Sequence, residues 1–196
     1  MLVSLCGTPG VGKTETSGVL EKEGFTVISL KDMVEGEGWH EGWDSESGSL
    51  IVDTDLLRER LSPIDRGGDS IIFIEGHLSY LAPADLVVVL RCDPDLIAKR
   101  LRERGYVENK VSENAEAEGL SIILTSAVEE ERRAEGPGSD LHPRTILEID
   151  TTHMDPTGVA EAVVKMARTL QGKDLIPIER YRPGRIDWTE VMARWF

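Results

Sequence analysis

The feature that most constrains this chain is an apolar run that ends in a glycine-rich turn. Residues 2–6 are apolar or small, and residues 7–14 read Gly-Thr-Pro-Gly-Val-Gly-Lys-Thr. This turn fits the pattern G-x-x-x-x-G-K-S/T, the Walker A phosphate loop. A chance match to a glycine-rich turn is the alternative, but here a strand-like run precedes the turn and a helical pattern follows it. The sequence therefore predicts a phosphate-binding loop between the first strand and the first helix.

Each residue type in this loop has a chemical role toward a polyphosphate. Gly10 and Gly12 allow backbone N–H groups to approach the phosphates closely, because glycine has no Cβ and tolerates a positive φ. Lys13 is expected to contact the β- and γ-phosphates, and the hydroxyl of Thr14 is expected to ligate Mg²⁺. The N-terminus of the following helix adds unpaired N–H groups and the positive end of its dipole. ATP and Mg²⁺ are therefore the predicted cofactors.

Length and cysteine content restrict the class of protein. A chain of 196 residues is long enough to bury a normal core as one domain. Its two cysteines, Cys6 and Cys92, stand far apart and outside any C-x-x-C pattern, so neither a disulfide framework nor a zinc site is expected. No basic leader and no apolar run of membrane-spanning length is present, which predicts a cytoplasmic protein without membrane contact.

The charge balance restricts the class of partner. The chain has 36 acidic and 22 basic residues, for a formal net charge of −14. This excess argues against strong direct binding of nucleic acid through its phosphate backbone and favours a basic partner. Only seven of the cations are lysines, which also suits a high-salt cytoplasm; an ordinary solvated acidic surface is the alternative.

Strand and helix patterns alternate along the rest of the chain. Predicted strands lie at residues 2–6, 25–30, 70–75, 85–91 and 145–150, and predicted helices at residues 14–23, 31–38, 56–61, 94–104, 111–135 and 156–171. This order predicts an α/β protein with a three-layer P-loop NTPase fold, a five-stranded parallel sheet and right-handed crossovers. Residues 39–49 are predicted to form a polar loop. Residues 173–196 are predicted to form a C-terminal appendage with a helix over residues 187–194, which the core does not obviously need.

The third predicted strand ends in Glu75-Gly76-His77. Ligands of open α/β sheets bind beyond the carboxyl ends of the strands. At that position an acid can orient the ligands of Mg²⁺, and a histidine can orient or activate a nucleophile. In the alternative interpretation Glu75 caps a neighbouring helix and His77 is a hydrogen-bonded loop residue.

Two arginines on the fourth helix are further candidates. Arg100 and Arg104 are four residues apart and share a helix face. Close to a phosphate loop, such cations can stabilise the charge that develops on a transferred phosphoryl group. A solvated basic helix end, favoured by the helix dipole, is the alternative.

Two tryptophans in the predicted polar loop have two explanations. Trp39 and Trp43 could stack on a nucleobase, because an aromatic ring binds any base face. They could equally anchor the loop to the core, since large aromatic side chains bury much apolar area. His40, between them, is interpreted as a solvated residue.

Several motifs together resemble one family. They are residues 7–14, Gly42-Trp43-Asp44, Asp53-Thr54-Asp55, Glu75-Gly76-His77, residues 104–110 and Asn114. In combination they resemble the adenylate kinase isoenzyme 6 family, which comprises the coilin-interacting nuclear ATPases and their archaeal relatives. The resemblance covers about residues 1–170.

The resemblance implies roles for individual segments and residues. Residues 1–172 would form the kinase-like domain, with a nucleoside-monophosphate-binding segment at about residues 30–53 and a short lid at residues 103–113. The implied ATP contacts are Gly10, Gly12, Lys13, Thr14, Glu15 and Arg104, and the implied catalytic residues are Lys13, Glu75, His77 and Arg104. Two positions depart from the family pattern: Glu75 replaces an aspartate, and Glu15 replaces a small hydroxyl residue.

The resemblance also implies a function. Members of the family are described as broad-specificity nucleoside monophosphate kinases that hydrolyse ATP and act in late maturation of the small ribosomal subunit. The implied reaction is ATP + AMP = 2 ADP, with AMP or another nucleoside monophosphate as acceptor and a basic ribosomal protein of the platform as partner. One alternative is an ATP-driven assembly switch in which monophosphate transfer is incidental. Another is a P-loop kinase for a small hydroxylated metabolite.

Overall fold

The structure is a computed structural model that describes residues 1–44, 49–134 and 144–195. Its strands are β1 (Leu2–Gly7), β2 (Thr26–Ser29), β3 (Gly42–Asp44), β4 (Ser49–Ile51), β5 (Ile72–Glu75), β6 (Leu86–Arg91) and β7 (Thr145–Asp150). Its helices are α1 (Lys13–Lys22), α2 (Leu30–Glu37), α3 (Thr54–Leu61), α4 (Pro94–Glu103), α5 (Glu108–Gly119), α6 (Ile122–Ala134), α7 (Pro156–Leu170) and α8 (Thr189–Met192). Within these described ranges, no helix is long and apolar enough to cross a membrane.

Five strands form one parallel sheet in the order β2-β5-β1-β6-β7. The fold class expected from the sequence is therefore confirmed. Strand β1 is central, and Leu5 near its end pairs with Glu75 of β5 and with Val88 of β6. The glycine-rich turn consequently leaves the middle of the sheet, beside the end of β5.

Helices cover both faces of the sheet, because successive side chains of a strand point to opposite sides. Val3, Leu5 and Phe73 belong to a core formed with α1, α4, α5 and α7. Leu2 and Ile74 belong to a second core formed with α2, α3 and α6. Both faces of the central strands are therefore buried, which explains their nearly continuous apolar sequence.

Three aspartates cap the first turns of helices. The side chains of Asp53, Asp93 and Asp155 accept hydrogen bonds of 2.7–3.1 Å from backbone N–H groups of the first turns. Such caps satisfy donors that have no partner within the helix. The starts of α3, α4 and α7 are therefore set by local sequence.

The prediction of a single helix over residues 111–135 is wrong. Helix α5 ends at Gly119 and α6 begins at Ile122, with Ser121 between them at φ 56°. A Cβ on Gly119 would lie 2.3 Å from Sδ of Met192, so this glycine makes room for the C-terminal segment. Leu120, which lies within the expected helix, is 68% exposed.

The polar loop expected over residues 39–49 contains a hairpin instead. Strands β3 and β4 pair antiparallel, and residues 45–48 of the expected loop lie outside the described residues. Trp39 is partly buried and packs against the second core, whereas Trp43 is 61% exposed on β3. Trp39 therefore anchors this segment to the core, while Trp43 presents its ring to solvent.

The C-terminal segment packs against the domain. Ile176, Ile178 and Tyr181 contact the first core, and helix α8 is shorter than the helix expected over residues 187–194. Beyond it, the indole Nε1 of Trp195 donates to Oδ1 of Asp95 at 2.8 Å. The segment thus contributes to the packing of the domain at several places.

Both cysteines are buried and unbridged. Burial raises the pKa of the Cys6 thiol to about 12 and that of the Cys92 thiol to about 11. Both thiols are therefore protonated at neutral pH.

Candidate active site

The glycine-rich turn has the backbone conformation that its sequence requires. Gly10 and Gly12 have φ values of 96° and 103°, a region that L-residues rarely adopt. A Cβ on Gly12 would meet no atom within 4 Å, so glycine is needed there for its conformation and not for lack of room. At Gly7, by contrast, a Cβ would lie 2.4 Å from the carbonyl O of Leu90.

The ammonium group of Lys13 lies inside the turn. Its Nζ donates to the carbonyl O of Gly7 at 2.8 Å and to that of Thr8 at 3.1 Å. Burial lowers the Lys13 pKa to about 8, and the nearby charge of Glu75 opposes this shift. A cation that two backbone carbonyls of the turn hold is well placed to exchange them for phosphate oxygens.

The start of α1 can accept an anion and a metal ion. Gly12 occupies the N-cap position without a side-chain cap, so the first N–H groups of the helix remain available to a ligand. The adjacent Thr14 side chain is exposed. Since Mg²⁺ in such sites takes one or two protein oxygens besides water and phosphate, the Thr14 hydroxyl and the Glu75 carboxylate fit its requirements.

Glu75 ends strand β5 beside the turn. Burial raises its pKa, and the charge of Lys13 opposes that rise. The following Gly76 lies close to α2, because a Cβ there would be 3.0 Å from Cβ of Leu30. No side-chain hydrogen bond joins the carboxylate of Glu75 to another described residue, so it does not cap a helix within the described ranges.

His77 follows Glu75 at the same end of the sheet. The surrounding crevice disfavours the charged ring and the Lys13 cation repels it, which together lower the His77 pKa to about 4. The side chain also has solvent-exposed surface, and water at the ring limits the size of this shift. The direction makes the imidazole neutral at pH 7, the form that can accept a proton.

A pocket lies beside the turn, between α1, α4 and the loop after β7. Its lining includes Gly12, Glu15, Arg100, Arg104, Thr151 and Met154. Arg104 forms an ion pair with Glu15, and Arg100 donates to the carbonyl O of Gly10 at 2.9 Å. The pocket thus adjoins the glycine-rich turn, and the side chains of two arginines border it.

The structure brings most of the candidate residues from the sequence together. Gly10, Gly12, Glu15 and Arg104 line one pocket, and Glu75 and His77 interact electrostatically with Lys13. The expected lid, residues 103–113, comprises the end of α4, a four-residue link at residues 104–107 (the α4–α5 link) and the first half of α5. Trp43 lies outside the residues that line this pocket.

Sequence reasoning missed the residues that brace the turn. The hydroxyl of Thr8 donates to Oε2 of Glu118 at 2.7 Å, and the hydroxyl of Thr151 lies 2.9 Å from the carbonyl O of Val11. One signal was available for Glu118: it is spaced i, i+4, i+7 with Val111 and Ala115, so it falls on the buried face of α5. An acid on such a face needs partners.

The parallel sheet, the glycine-rich turn and the lysine at the start of α1 define a P-loop nucleotide-binding protein. In agreement, a family model described as "AAA domain" matches residues 3–121.

Three archaeal relatives named "Putative adenylate kinase" match over most of the chain. The protein from Thermococcus kodakarensis is 38% identical over 192 residues, covering 97% of this chain and 94% of the relative. That from Archaeoglobus fulgidus is 37% identical over 188 residues, covering 96% and 92%. That from Halobacterium salinarum is 41% identical over 164 residues, covering 83% and 88%. The chain therefore belongs to the adenylate kinase isoenzyme 6 family, and its relatives support a nucleotide kinase.

Proposed function

We propose that the protein transfers the γ-phosphoryl group of ATP to a nucleoside monophosphate, with AMP as one acceptor. The observation that carries this proposal is the Lys13 ammonium, held by two backbone carbonyls in the turn and electrostatically coupled to Glu75. The name shared by the archaeal relatives supports the same reaction.

The side chains of this site act by positioning and by charge. Lys13 leaves the carbonyls of Gly7 and Thr8 to contact the β- and γ-phosphates, and the N–H groups of the turn surround the polyphosphate. The hydroxyl of Thr14 would hold Mg²⁺ and the carboxylate of Glu75 would orient its water ligands, and the ion would supply positive charge toward the phosphates. Arg104 exchanges Glu15 for the transferred group, whose charge grows in the transition state.

The nucleoside monophosphate acceptor is bound by residues 30–53. Its phosphate oxygen is the nucleophile, so the chain needs to hold it in line and to exclude water, without forming a covalent intermediate. The exposed ring of Trp43 on β3 is available to stack on the base of the acceptor.

The proposal extends to hydrolysis of ATP and to late maturation of the small ribosomal subunit. The neutral imidazole of His77 can orient water when no acceptor is bound. The net charge of −14 suits a basic ribosomal protein as partner. In the second candidate function, an ATP-driven assembly switch, hydrolysis controls that partnership and monophosphate transfer is incidental.

A coupled assay with competing acceptors tests these functions. ADP formation from ATP is followed with AMP, CMP, dAMP or water alone as acceptor, each with Mg²⁺. The kinase proposal expects transfer to a monophosphate to exceed hydrolysis. Fast release of phosphate with feeble transfer would favour the switch. Failure to form ADP with any of these acceptors would contradict both functions.

A further inference from the structure

A buried ionic network lies behind the phosphate loop. Arg91, Glu118 and Glu148 are each at most 2% exposed. Nε of Arg91 donates to Oε1 of Glu118 at 2.5 Å, and Nη1 donates to Oε2 of Glu148 at 2.9 Å. Two carboxylates therefore share one guanidinium, and they need further donors because a buried charge without partners is costly.

The phosphate loop supplies one of these donors. Thr8, which is 1% exposed, donates from its hydroxyl to Oε2 of Glu118 at 2.7 Å. The carbonyl O of Thr8 accepts from Nζ of Lys13 at 3.1 Å. One residue of the loop thus touches the buried acid with its side chain and the phosphate-binding lysine with its backbone.

The C-terminal segment supplies further donors. Nε1 of Trp188 donates to Oε1 of Glu118 at 3.2 Å. The backbone N–H groups of Arg185 and Ile186 donate to Oε1 of Glu148 at 2.6 and 3.2 Å. These three contacts come from a stretch that lies more than 170 residues beyond the loop in sequence.

We propose that Glu118 is a positioning residue for the phosphate loop, and that Trp188 of the C-terminal segment completes its set of hydrogen-bond donors. The C-terminal segment then contributes to ATP binding without touching the nucleotide. This inference rests on the proposed function and deepens it. It assigns the packed segment a role in the site beyond that of covering the core.

The positioning depends on which atoms share Glu118. Oε1 accepts from Arg91, Trp188 and the backbone N–H of Cys92, while Oε2 accepts from Thr8. When the indole donor of Trp188 is removed, Oε1 of Glu118 loses one hydrogen bond. The carboxylate then shifts toward its other donors. Because Thr8 follows the carboxylate, its carbonyl and the ammonium of Lys13 move from the arrangement that receives phosphate.

The segment offers a matched pair of variants for the test. Trp188→Phe removes the indole donor to Glu118 and keeps an aromatic ring. Trp195→Phe removes an indole donor of the same segment, which reaches Asp95 on α4. The Kd of a fluorescent ATP analogue is measured by titration of each full-length variant, with the unfolding midpoint as a second readout.

We expect Trp188→Phe to raise the Kd about 3- to 10-fold, since part of the loss of a hydrogen bond to a charged group reaches the loop. Trp195→Phe should leave the Kd within about twofold of the wild type, because its indole donates to Asp95 and not to Glu118. In turnover assays, the KM for ATP should rise in Trp188→Phe while the KM for AMP stays constant.

Substitutions at Thr8 test the other end of the network. Thr8→Val keeps the shape of the side chain and removes its hydroxyl, so it should raise the Kd at least as much as Trp188→Phe. Thr8→Ser, which restores the hydroxyl, should recover most of that loss. A merely structural network would lower the unfolding midpoint in both Thr8→Val and Thr8→Ser without this difference in affinity.

The outcomes separate this inference from the function on which it rests. If the wild type fails to bind the ATP analogue, the proposed function is wrong and this inference falls with it. If the wild type binds and the two tryptophan variants change the Kd equally or leave it unchanged, the function stands and the positioning role of Glu118 is overturned.

Discussion

Lys13 combines two demands that usually conflict. Its ammonium must be charged to hold phosphate, yet its partly buried position within the loop lowers its pKa to about 8. Two backbone carbonyls and the nearby Glu75 charge offset part of that cost. A phosphate ligand, which brings several negative charges, would stabilise the cation much further.

Replacement of Lys13 by alanine should abolish both transfer and hydrolysis. The change removes the cation that contacts the β- and γ-phosphates, so turnover should fall by about 10²–10³-fold or more. It removes little core packing, so the circular dichroism spectrum should be unchanged. Lys22→Ala, on the exposed end of the same helix, is the control. Near-normal turnover in a folded Lys13→Ala protein would contradict the assignment of the loop.

ATP binding near pH 8.5 should be accompanied by uptake of protons. In the unliganded protein Lys13 has a pKa of about 8, so it is largely neutral at this pH. Bound phosphates raise its pKa, and the amine then takes up a proton from the solvent. Phosphate groups are themselves fully ionised there, with a second pKa near 6. Calorimetric titrations in buffers of different ionisation enthalpy measure the uptake, which should fade toward pH 7 and vanish in Lys13→Ala.

His77 should matter more for hydrolysis than for transfer. A monophosphate acceptor is held by its own contacts, whereas water depends on an orienting side chain. We expect His77→Gly to lower ATP hydrolysis by about 10²-fold or more and AMP phosphorylation much less, with the exposed Lys22→Ala again as control. Equal losses in both reactions would make His77 a shared electrostatic or structural residue, and no loss would make it an ordinary loop residue.

At the scale of elements, prediction from sequence succeeds where the signal is local. Asp53 and Asp155 cap their helices through their own side chains, and the apolar run of β6 marks a buried parallel strand. Prediction fails where the local structure depends on residues that are distant in the sequence. Helix α5 ends at Gly119, against which Met192 packs, and the local sequence gives no hint of that contact.

The α4–α5 link carries a testable arginine. Arg104 pairs with Glu15 across the pocket mouth, and in the proposed reaction it exchanges Glu15 for the transferred phosphoryl group. Arg104→Ala should lower kcat by about 10²-fold with a smaller change in the Kd for ATP. Arg102→Ala, which removes only the exposed pair with Glu108, is the control, and an unchanged kcat in Arg104→Ala would make Arg104 a solvated helix end.

At the scale of the whole molecule, the net charge of −14 should make stability depend on salt. Repulsion among the acidic groups opposes the compact state, and ions screen it. We expect the unfolding midpoint to rise by about 2–4 °C for each kcal/mol of relieved repulsion as NaCl increases toward 1 M. Sucrose at the same osmolality is the control, and an equal rise in sucrose would attribute the effect to preferential exclusion and not to screening.

The site as a whole was only partly predictable. Gly12 and Lys13 follow from a short pattern, and Glu75 from its place at the end of a strand. Glu118 and Arg91 were not predictable as a pair, because 27 residues separate them. The spacing of Glu118 along α5 indicates burial but does not indicate which cation it contacts. Only the folded sheet shows that both lie behind the loop.

The two buried thiols make the protein suited to site-directed labelling. Cys6 and Cys92 are inaccessible and protonated at neutral pH, so maleimide dyes will bypass them without any need to replace them. A double variant, Ile51→Cys on the hairpin and Val107→Cys on the α4–α5 link, would place two reactive groups at exposed positions. Energy transfer between dyes at these sites would then report in real time any change in the distance between the hairpin and the α4–α5 link when nucleotides bind.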